Sequence, residues 1–542
     1  MSKPETVDYV VIGSGSAGAV IAARLAEDPN CSILVLEAGG MDDKFFYQRP
    51  GALGLVYQVP QLKAAADWGY YTVPQAHLDQ RKMPYTRGRI VGGCSTVNGM
   101  LYVRGHRDNY DRWVELGCPG WGYDSLLPLF KRSENHPDGP SAYHGANGAL
   151  QVTRQEGCSP VSEAWNAAAS AVCGVPVLDD FNGERQEGVG LYHQTAAKRR
   201  RSSASVAFLH PAREKNQKLR LQTGALVTRL VVEGGKVCGV CYEAEGASHE
   251  VRANAEVILS AGAIGSPQIL MLSGIGPADH LRSLGIPVVH DLPGVGANLH
   301  DHLYAPIRFH GTKDTGHTST APHFLWGMFR DFAFNQGWFG KTFLEAGGFV
   351  KTSPSQPRPD LQFLTIPWAY PEPNDDTLEG QSIAKTPSFT VLAILLYPKS
   401  RGSLRLASKD PKAAPLIDPN YLHDDADMQV LLHGLRLART IAKTAPLSAF
   451  MKGEAFPGPA TESDEALRAH VRLASKTVYH PVGTCKMGQD PLAVVDPSLR
   501  LQGLPGLRVA DASIMPEIVG GNTNAPTIAI GERCADLLRG RA

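Results

Sequence analysis

The chain has 542 residues, with 53 Lys and Arg against 53 Asp and Glu, and 43% of its residues are hydrophobic. This length exceeds what one ordinary core supports, so two domains or one elaborated α/β domain are expected. The balanced charge offers no clustered basic face for nucleic acid, and the run Lys198–Arg201 is interpreted as a solvated turn. No stretch reaches the ~18 uninterrupted apolar residues of a membrane-spanning helix, and the N-terminus lacks a signal peptide's apolar core. We therefore expect a cytoplasmic protein, with peripheral membrane association left open.

The cysteines predict neither a disulfide framework nor a metal centre. There are nine, an odd number, at irregular spacing, whereas disulfide scaffolds use even, regular sets. Cys238 and Cys241 form a CxxC within KVCGVCY, an alternating run typical of a strand. A zinc site needs further ligands at suitable spacing, so no metal is predicted.

The first predicted unit is a strand, a glycine-rich turn and a helix. The apolar run Tyr9–Ile12 precedes the sequence GSGSAG, and AVIAARLAED follows with helical spacing of its apolar residues. A second buried strand in CSILVLEAGG ends in Glu37, 19 positions past the last glycine. This context is that of a dinucleotide-binding fingerprint, in which the helix N-terminus receives the pyrophosphate and the acidic residue the ribose. The predicted cofactor residues are Gly13, Ser14, Gly15, Ser16, Ala17, Gly18, Glu37 and Ala38.

The fingerprint by itself does not distinguish FAD from NAD, because both carry the ADP half that it recognises. Five further blocks follow along the chain: RGRIVGGCSTVNGMLYVRG, SAGAIGSPQILMLSGIG, TVYHPVGTCKMG, LRVADASIMPE and GGNTNAPTIAIGERCADLL. In this order they resemble the glucose–methanol–choline (GMC) family of flavoprotein oxidoreductases, and the last blocks resemble its choline and alcohol dehydrogenases in particular.

The resemblance implies an α/β fold in which a Rossmann-like FAD-binding domain is interleaved with an antiparallel-sheet substrate-binding domain. The FAD-binding domain is expected at residues 1–155, 206–309 and 463–542, and the substrate-binding domain at 156–205 and 310–462. Within the latter, 388–408 predicts strand, turn and strand with SRGS as the turn. Segment 311–342 is long and irregular, which suits a lid or an access loop and equally a loosely packed surface excursion.

The resemblance also implies FAD as the cofactor. Residues assigned to it on this basis are Arg89, Val91, Gly92, Gly93, Ser95, Asn98, Val227, Asp511, Ala512, Asn524, Pro526 and Thr527. Some members attach FAD through a histidine just before the asparagine of the GG block. Val97 stands at that position, so FAD is expected to be held noncovalently.

Catalysis is assigned to His480 and Asn522. Family active sites carry a histidine in the HPxGT block, here His480, and a second His or Asn before the final helix. Counting back from the GERC sequence selects Asn522, with Asn524 as the alternative. Alcohol oxidation needs a base within hydrogen-bond reach of the hydroxyl, and a neutral histidine suits that role. Asn522 is expected to hold the substrate oxygen.

The predicted function is oxidation of an alcohol to an aldehyde or ketone by an FAD-dependent dehydrogenase or oxidase. Electrons would pass to oxygen, a quinone or another carrier. An FAD-containing lyase or photodecarboxylase on the same scaffold is the alternative. Glu345 could pair with a cationic substrate beside Trp326, Trp338, Trp368 and Tyr370, but a structural role for this carboxylate is favoured.

Overall fold

A computed structural model describes residues 4–312, 321–369 and 387–541. The α-helices of the described residues are α1 (Gly18–Leu25), α2 (Phe45–Gln48), α3 (Leu53–Gln58), α4 (Pro60–Ala66), α5 (Cys94–Val97), α6 (Arg107–Glu115), α7 (Tyr123–Ser133), α8 (Pro160–Cys173), α9 (His210–Lys215), α10 (Gly262–Leu272), α11 (Ala278–Ser283), α12 (Ala321–Phe334), α13 (Asp425–Ala442), α14 (Asp464–Ala474) and α15 (Asn524–Leu538). None of them has the length and apolar character needed to cross a bilayer.

The strands of the same ranges are β1 (Glu5–Ile12), β2 (Ile33–Leu36), β3 (Glu134–Asn135), β4 (Leu150–Gln151), β5 (Val177–Leu178), β6 (Gly188–Leu191), β7 (Ala196–Ala197), β8 (Arg200–Arg201), β9 (Leu219–Gln222), β10 (Leu226–Glu233), β11 (Lys236–Ala244), β12 (Ala247–Leu259), β13 (Ile275–Gly276), β14 (His290–Asp291), β15 (Leu303–Gly311), β16 (Ala346–Val350), β17 (Leu361–Ile366), β18 (Ser388–Leu395), β19 (Ser403–Arg405), β20 (Leu416–Asp418), β21 (Met451–Phe456), β22 (Lys476–Thr477) and β23 (Leu507–Val509). Most of them belong to two large sheets.

The first sheet is built around five parallel strands in the order β9, β2, β1, β12 and β23. Strands β11 and β10 extend it, because β11 pairs antiparallel with β12 and β10 pairs antiparallel with β11. Val10, Val11 and Ile12 are buried, as continuous apolar runs are when helices cover both faces of a parallel sheet. The predicted strand, turn and helix at the N-terminus are β1, Gly13 at φ 94°, and α1.

The second sheet has the strand order β21, β15, β18, β17, β16, β6 and β5, with β22 also beside β15. Its neighbours pair antiparallel except β5 and β6. Two sheets of these types confirm the predicted mixed α/β class. Strand β15 lies in the second sheet and crosses the domain boundary predicted after residue 309, and β22 joins this sheet from the C-terminal segment.

Two local predictions in the second half of the chain are wrong. The strands predicted in 388–408 exist as β18 and β19, but they do not form a hairpin. Both edges of β18 are taken by β15 and β17, so β19 pairs with β20. Segment 311–342 contains α12, whose apolar residues Leu325, Met328 and Phe329 recur at helical spacing; residues 313–320 lie outside the described ranges.

The basic run is also not a solvated turn throughout. Lys198 and Arg200 are exposed, whereas Arg199 Nε donates to Asp331 Oδ1 at 2.5 Å. Arg201 is buried, and its Nη1 donates to the Asn98 carbonyl at 2.8 Å and to Asn98 Oδ1 at 2.7 Å. Its guanidinium therefore fixes the end of the GG block.

Candidate active site

A cavity of about 390 Å³ lies at the carboxyl end of the parallel strands and extends under the second sheet. This is where open α/β sheets bind their ligands. Many predicted site residues line it: Gly13, Gly15, Ser16, Ala17, Glu37, Ala38, Gly93, Asn98, Val227, Asp511, Ala512, Asn524 and Thr527, together with His480 and Asn522.

Other predicted cofactor residues lie behind those that line the cavity. These are Ser14, Gly18, Arg89, Val91, Gly92, Ser95 and Pro526, none of which lines the cavity. They shape the loops that do: Ser95 Oγ donates to the Gly92 carbonyl at 2.6 Å, and the Arg89 guanidinium lies 5.1 Å from the centre of the Trp68 ring.

Two glycines of the fingerprint allow close contacts between backbone segments. A Cβ on Gly18 would lie 2.0 Å from the Gly13 carbonyl oxygen, and one on Gly13 would lie 2.5 Å from the Ser260 carbonyl oxygen. At Gly15, by contrast, nothing lies within 4 Å of the Cβ position, which opens onto the cavity. The turn thus has the shape that a pyrophosphate requires at a helix N-terminus.

Glu37 lies at the end of β2, with its carboxylate anchored on both oxygens. Oε2 accepts bonds from Ser14 N at 3.1 Å and Ser14 Oγ at 2.7 Å, and Oε1 accepts one from Gly39 N at 2.9 Å. A carboxylate offers about four acceptor positions, so room remains for ribose hydroxyls. Asp511 is similarly held, because Ser266 Oγ and Gly262 N donate to its Oδ2 at 2.6 and 2.8 Å.

His480 and Asn522 meet at the other end of the cavity. Asn522 Nδ2 lies 3.3 Å from His480 Nε2, and Asn522 Oδ1 is buried without a hydrogen-bond partner among the described residues. Asn524 lies elsewhere, since its Oδ1 accepts a bond from Ser16 Oγ of the fingerprint turn at 2.7 Å. Of the two asparagines, Asn522 is thus the one beside the histidine.

A second histidine, which sequence reasoning missed, holds the ring of His480. His302 Nδ1 lies 3.0 Å from His480 Nδ1, and His302 Nε2 lies 3.0 Å from the Leu396 carbonyl oxygen. A carbonyl only accepts, so His302 carries its proton on Nε2 and its Nδ1 accepts. His480 must then carry its proton on Nδ1, which leaves the Nε2 lone pair as an acceptor, with Asn522 Nδ2 as its donor.

The backbone at His480 is anchored by the buried carboxylate of Asp301. His480 N donates to Asp301 Oδ1 at 2.7 Å, and the hydroxyls of Tyr85, Tyr421 and Thr477 donate to Oδ2 at 2.9, 2.6 and 2.5 Å. Burial raises the pKa of Asp301, and these four donors oppose that shift. The sequence signal for both supporting residues was the polar cluster HDH at 300–302 in an otherwise apolar stretch.

The electrostatic surroundings keep the imidazoles neutral. Burial, the His302 ring and the Arg87 guanidinium lower the pKa of His480 well below its ordinary value. Burial lowers the pKa of His302 to about 4. Arg87 donates to the Tyr479 carbonyl at 2.9 Å and to Cys94 Sγ at 2.7 Å, so its charge is held against the loop that carries the base.

Glu345 is a structural residue in this fold. Its buried carboxylate accepts bonds from Ser159 N at 2.7 Å, Ser162 Oγ at 2.7 Å and Lys341 Nζ at 2.8 Å, and it does not line the cavity. Trp326 is 56% exposed on α12, so it does not enclose a ligand. Tyr370 lies outside the described residues.

Comparison with known proteins gives a consistent result. The profile of the GMC oxidoreductase family matches residues 7–304 and 398–531. An oxygen-dependent choline dehydrogenase of Rhizobium etli is 41% identical, over 98% of this chain and 96% of the relative. An alcohol dehydrogenase [acceptor] of Pseudomonas putida is 40% identical, over 98% and 95% of the two chains.

Solved structures agree with this assignment. Pyridoxine 4-oxidase from Mesorbium loti superposes with a TM-score of 0.88 at 31% identity, covering 98% of both chains. A formate oxidase of Aspergillus oryzae superposes with a TM-score of 0.89 at 26% identity, covering 100% of this chain and 99% of the other. The family profile matches most of the chain, and relatives about 40% identical align over nearly the whole of both sequences. The chain therefore belongs to the GMC oxidoreductase family.

Proposed function

We propose that this protein is an FAD-dependent oxidoreductase that converts an alcohol to an aldehyde or ketone, with His480 as the general base. One observation carries the proposal: a neutral, oriented imidazole presents its unprotonated Nε2, beside Asn522, to the cavity whose other end has the dinucleotide fingerprint. Membership of a family of flavoenzymes, with relatives named as choline and alcohol dehydrogenases, supports it.

The described residues fit FAD. The open side of Gly15, the α1 N-terminus and the remaining acceptor positions of Glu37 would hold the ADP half. Bound FAD supplies the acceptor for the hydride that leaves the alcohol carbon. Val97, which lines the cavity at the family's histidine attachment position, has no group that could bond to the flavin. We therefore propose noncovalent binding.

The substrate hydroxyl would lie between His480 and Asn522. His480 Nε2 accepts the hydroxyl proton, which leaves negative charge on the oxygen as the carbon gives up its hydride. Asn522 Nδ2, which rests 3.3 Å from Nε2, donates to that oxygen and holds it. His302 and Asp301 keep the base in place.

The cavity wall around the base favours an uncharged, apolar alcohol. Tyr304 of β15, Leu364 and Ile366 of β17 and Leu392 of β18 line it from the second sheet, with Phe343 beside them. Within the described ranges, the only carboxylates in the wall are Glu37 and Asp511, both at the fingerprint end. A quaternary ammonium would thus be buried without a paired charge, which is costly.

The test is anaerobic mixing of the flavin-loaded protein with alcohols while the flavin absorbance is recorded. Benzyl alcohol and linear primary alcohols are expected to bleach the flavin, and choline to do so more slowly. His480→Gln should slow bleaching by at least ~100-fold, the lower end for a lost general base. Admitting air separates an oxidase from a dehydrogenase that needs another acceptor.

Three results would contradict the proposal: protein that does not take up FAD, no bleaching by any alcohol, or a normal rate in His480→Gln. Acid precipitation tests the mode of attachment, because noncovalent FAD is released into the supernatant. Conversion of a substrate without any change in flavin absorbance would indicate the lyase chemistry of the alternative prediction.

A further inference from the structure

A second cluster of ionisable side chains lies away from the active site. His136 follows β3, His144 lies in the turn that leads to β4, Asp180 follows β5 and His193 follows β6. The three histidines are 4%, 7% and 4% exposed. Four chain segments therefore bring imidazoles and a carboxylate together in a buried place, which the sequence spacing did not predict.

His144 is oriented by carboxylates at both nitrogens. Its Nδ1 lies 2.9 Å from Glu134 Oε1, and its Nε2 lies 3.0 Å from Asp180 Oδ2. Glu134 also pairs with Arg104 Nη2 at 2.6 Å, so its charge is already balanced. With the Nδ1 proton donated to Glu134, the contact between Nε2 and the Asp180 carboxylate needs a positive charge, which either a second ring proton or a metal ion in its place can supply.

Three further ring nitrogens at this place have no hydrogen-bond partner within the part of the chain that the structure describes. His136 Nε2 and His193 Nε2 are buried without any hydrogen bond. His193 Nδ1 lies 3.4 Å from Asp180 Oδ1, a contact without hydrogen-bond geometry. Native proteins seldom leave buried polar atoms unsatisfied, and each such atom points to a ligand, an ion or a water.

The distances match those of ligands around one ion. One nitrogen each from His136 and His144 and one oxygen of Asp180 all lie within 4.8 Å of one another. Two ligand atoms that are each about 2.1 Å from a metal are about 3.0 Å apart at 90° and about 3.4 Å apart at the tetrahedral angle. Asp180 Oδ2 lies 3.0 Å from His144 Nε2 and Asp180 Oδ1 lies 3.4 Å from His193 Nδ1, so a carboxylate that binds through both oxygens has its neighbours at these values.

We propose that His136, His144 and Asp180, completed by His193, bind one divalent transition-metal ion. Imidazole and carboxylate ligands of this kind suit Zn²⁺. The rings of His136 and His144 are stacked with centroids 3.7 Å apart. On binding the ion, the two rings would tilt away from parallel so that one nitrogen of each points to the metal. Glu134 then serves as the carboxylate that orients a ligating histidine from behind.

The position of the cluster suggests what the ion does. A surface depression lined by three carboxylates (Asp180, Glu184 and Glu187) and by Arg185 and His106 gives it an entry path in which carboxylates outnumber the arginine. The same loop carries Gln186, whose Nε2 donates to the Gly520 carbonyl at 2.7 Å, two residues before Asn522. The ion would thus join this loop to the β3–β4 turn and to β6, and would stabilise the fold near the active site without taking part in the chemistry.

Metal binding by untagged, FAD-loaded protein tests the proposal. After chelator treatment and dialysis, calorimetric titration should find one Zn²⁺ per chain, and Co²⁺ should give a visible ligand-field spectrum. A hundredfold excess of Zn²⁺ over its Kd should raise the Tm by at least about 2 °C. His136→Gln and His193→Gln should each weaken binding by at least ~10-fold. His310→Gln, an exposed histidine on β15, is the matched control.

Absence of stoichiometric Zn²⁺ and Co²⁺ binding by the native chain would overturn the proposal. His144 would then be an imidazolium between two carboxylates. The binding measurements on the native chain test the proposal even where a variant fails to fold. Flavin bleaching by alcohols reports on His480 independently, so failure of the metal site and failure of the proposed function are separate results.

Discussion

Replacing His302 with leucine tests whether a second histidine holds the base in its working tautomer. The substitution removes the acceptor 3.0 Å from His480 Nδ1 and the donor to the Leu396 carbonyl. A buried polar group left without its partner costs about 1–3 kcal/mol. His480 can escape part of this cost by moving its proton to Nε2, where it can no longer accept one from the substrate. Since ~1.4 kcal/mol is a factor of ten in rate, flavin reduction should slow by about 10- to 100-fold.

The assay is anaerobic stopped-flow reduction of the bound flavin at saturating alcohol. His302→Asn is the matched control, because its amide oxygen can still accept the proton of His480 Nδ1, and it should recover much of the lost rate. Both variants should retain FAD, since His302 does not line the cavity. A leucine variant within twofold of the native rate would refute the reasoning, and so would an asparagine variant that is equally slow.

Substitutions at three other positions, two of them with a control variant, test the electrostatics and the cofactor site. His480 works as a neutral base with a lowered pKa, so flavin reduction should persist below pH ~6.5 and fail only as the pH drops through that lowered pKa. Arg87→Met removes a cation and should move the acid limb of the pH profile to higher pH, and Arg87→Lys should move it less. Superimposable pH profiles would contradict the argument. Gly18→Ala, whose Cβ would lie 2.0 Å from a backbone oxygen, should lower both the Tm and the flavin content. Gly40→Ala, with nothing among the described residues within 4 Å of its Cβ, should change neither. Equal behaviour of the two variants would contradict the close packing described for Gly18. Glu37→Gln removes a charged acceptor at the ribose end and should weaken FAD binding by about 10-fold or more in reconstitution titrations, and unchanged affinity would remove that carboxylate from the site.

Features set by short-range sequence were predictable. The β1–turn–α1 unit follows from a run of apolar residues, closely spaced glycines and helical periodicity, all within about 30 residues. Resemblance to a known family supplied His480 and Asn522, and the structure brings these side chains to 3.3 Å. Predictions failed where the local pattern was satisfied by a distant partner. Strand β19 pairs with β20 because both edges of β18 are already paired. Arg201 is buried because its guanidinium donates hydrogen bonds to Asn98 at the end of the GG block.

The sequence by itself determined the fold class, the dinucleotide fingerprint and the residue types that the chemistry requires. Only the tertiary structure decided that His302 lies behind His480, that Asp301 anchors it, and that His136, His144 and Asp180 converge. The physical reason is that a hydrogen bond or a metal bond depends on separations of a few ångströms between atoms. Residues 178 positions apart, as His302 and His480 are, reach such separations only because β15 and β22, the strands next to them, pair within the second sheet.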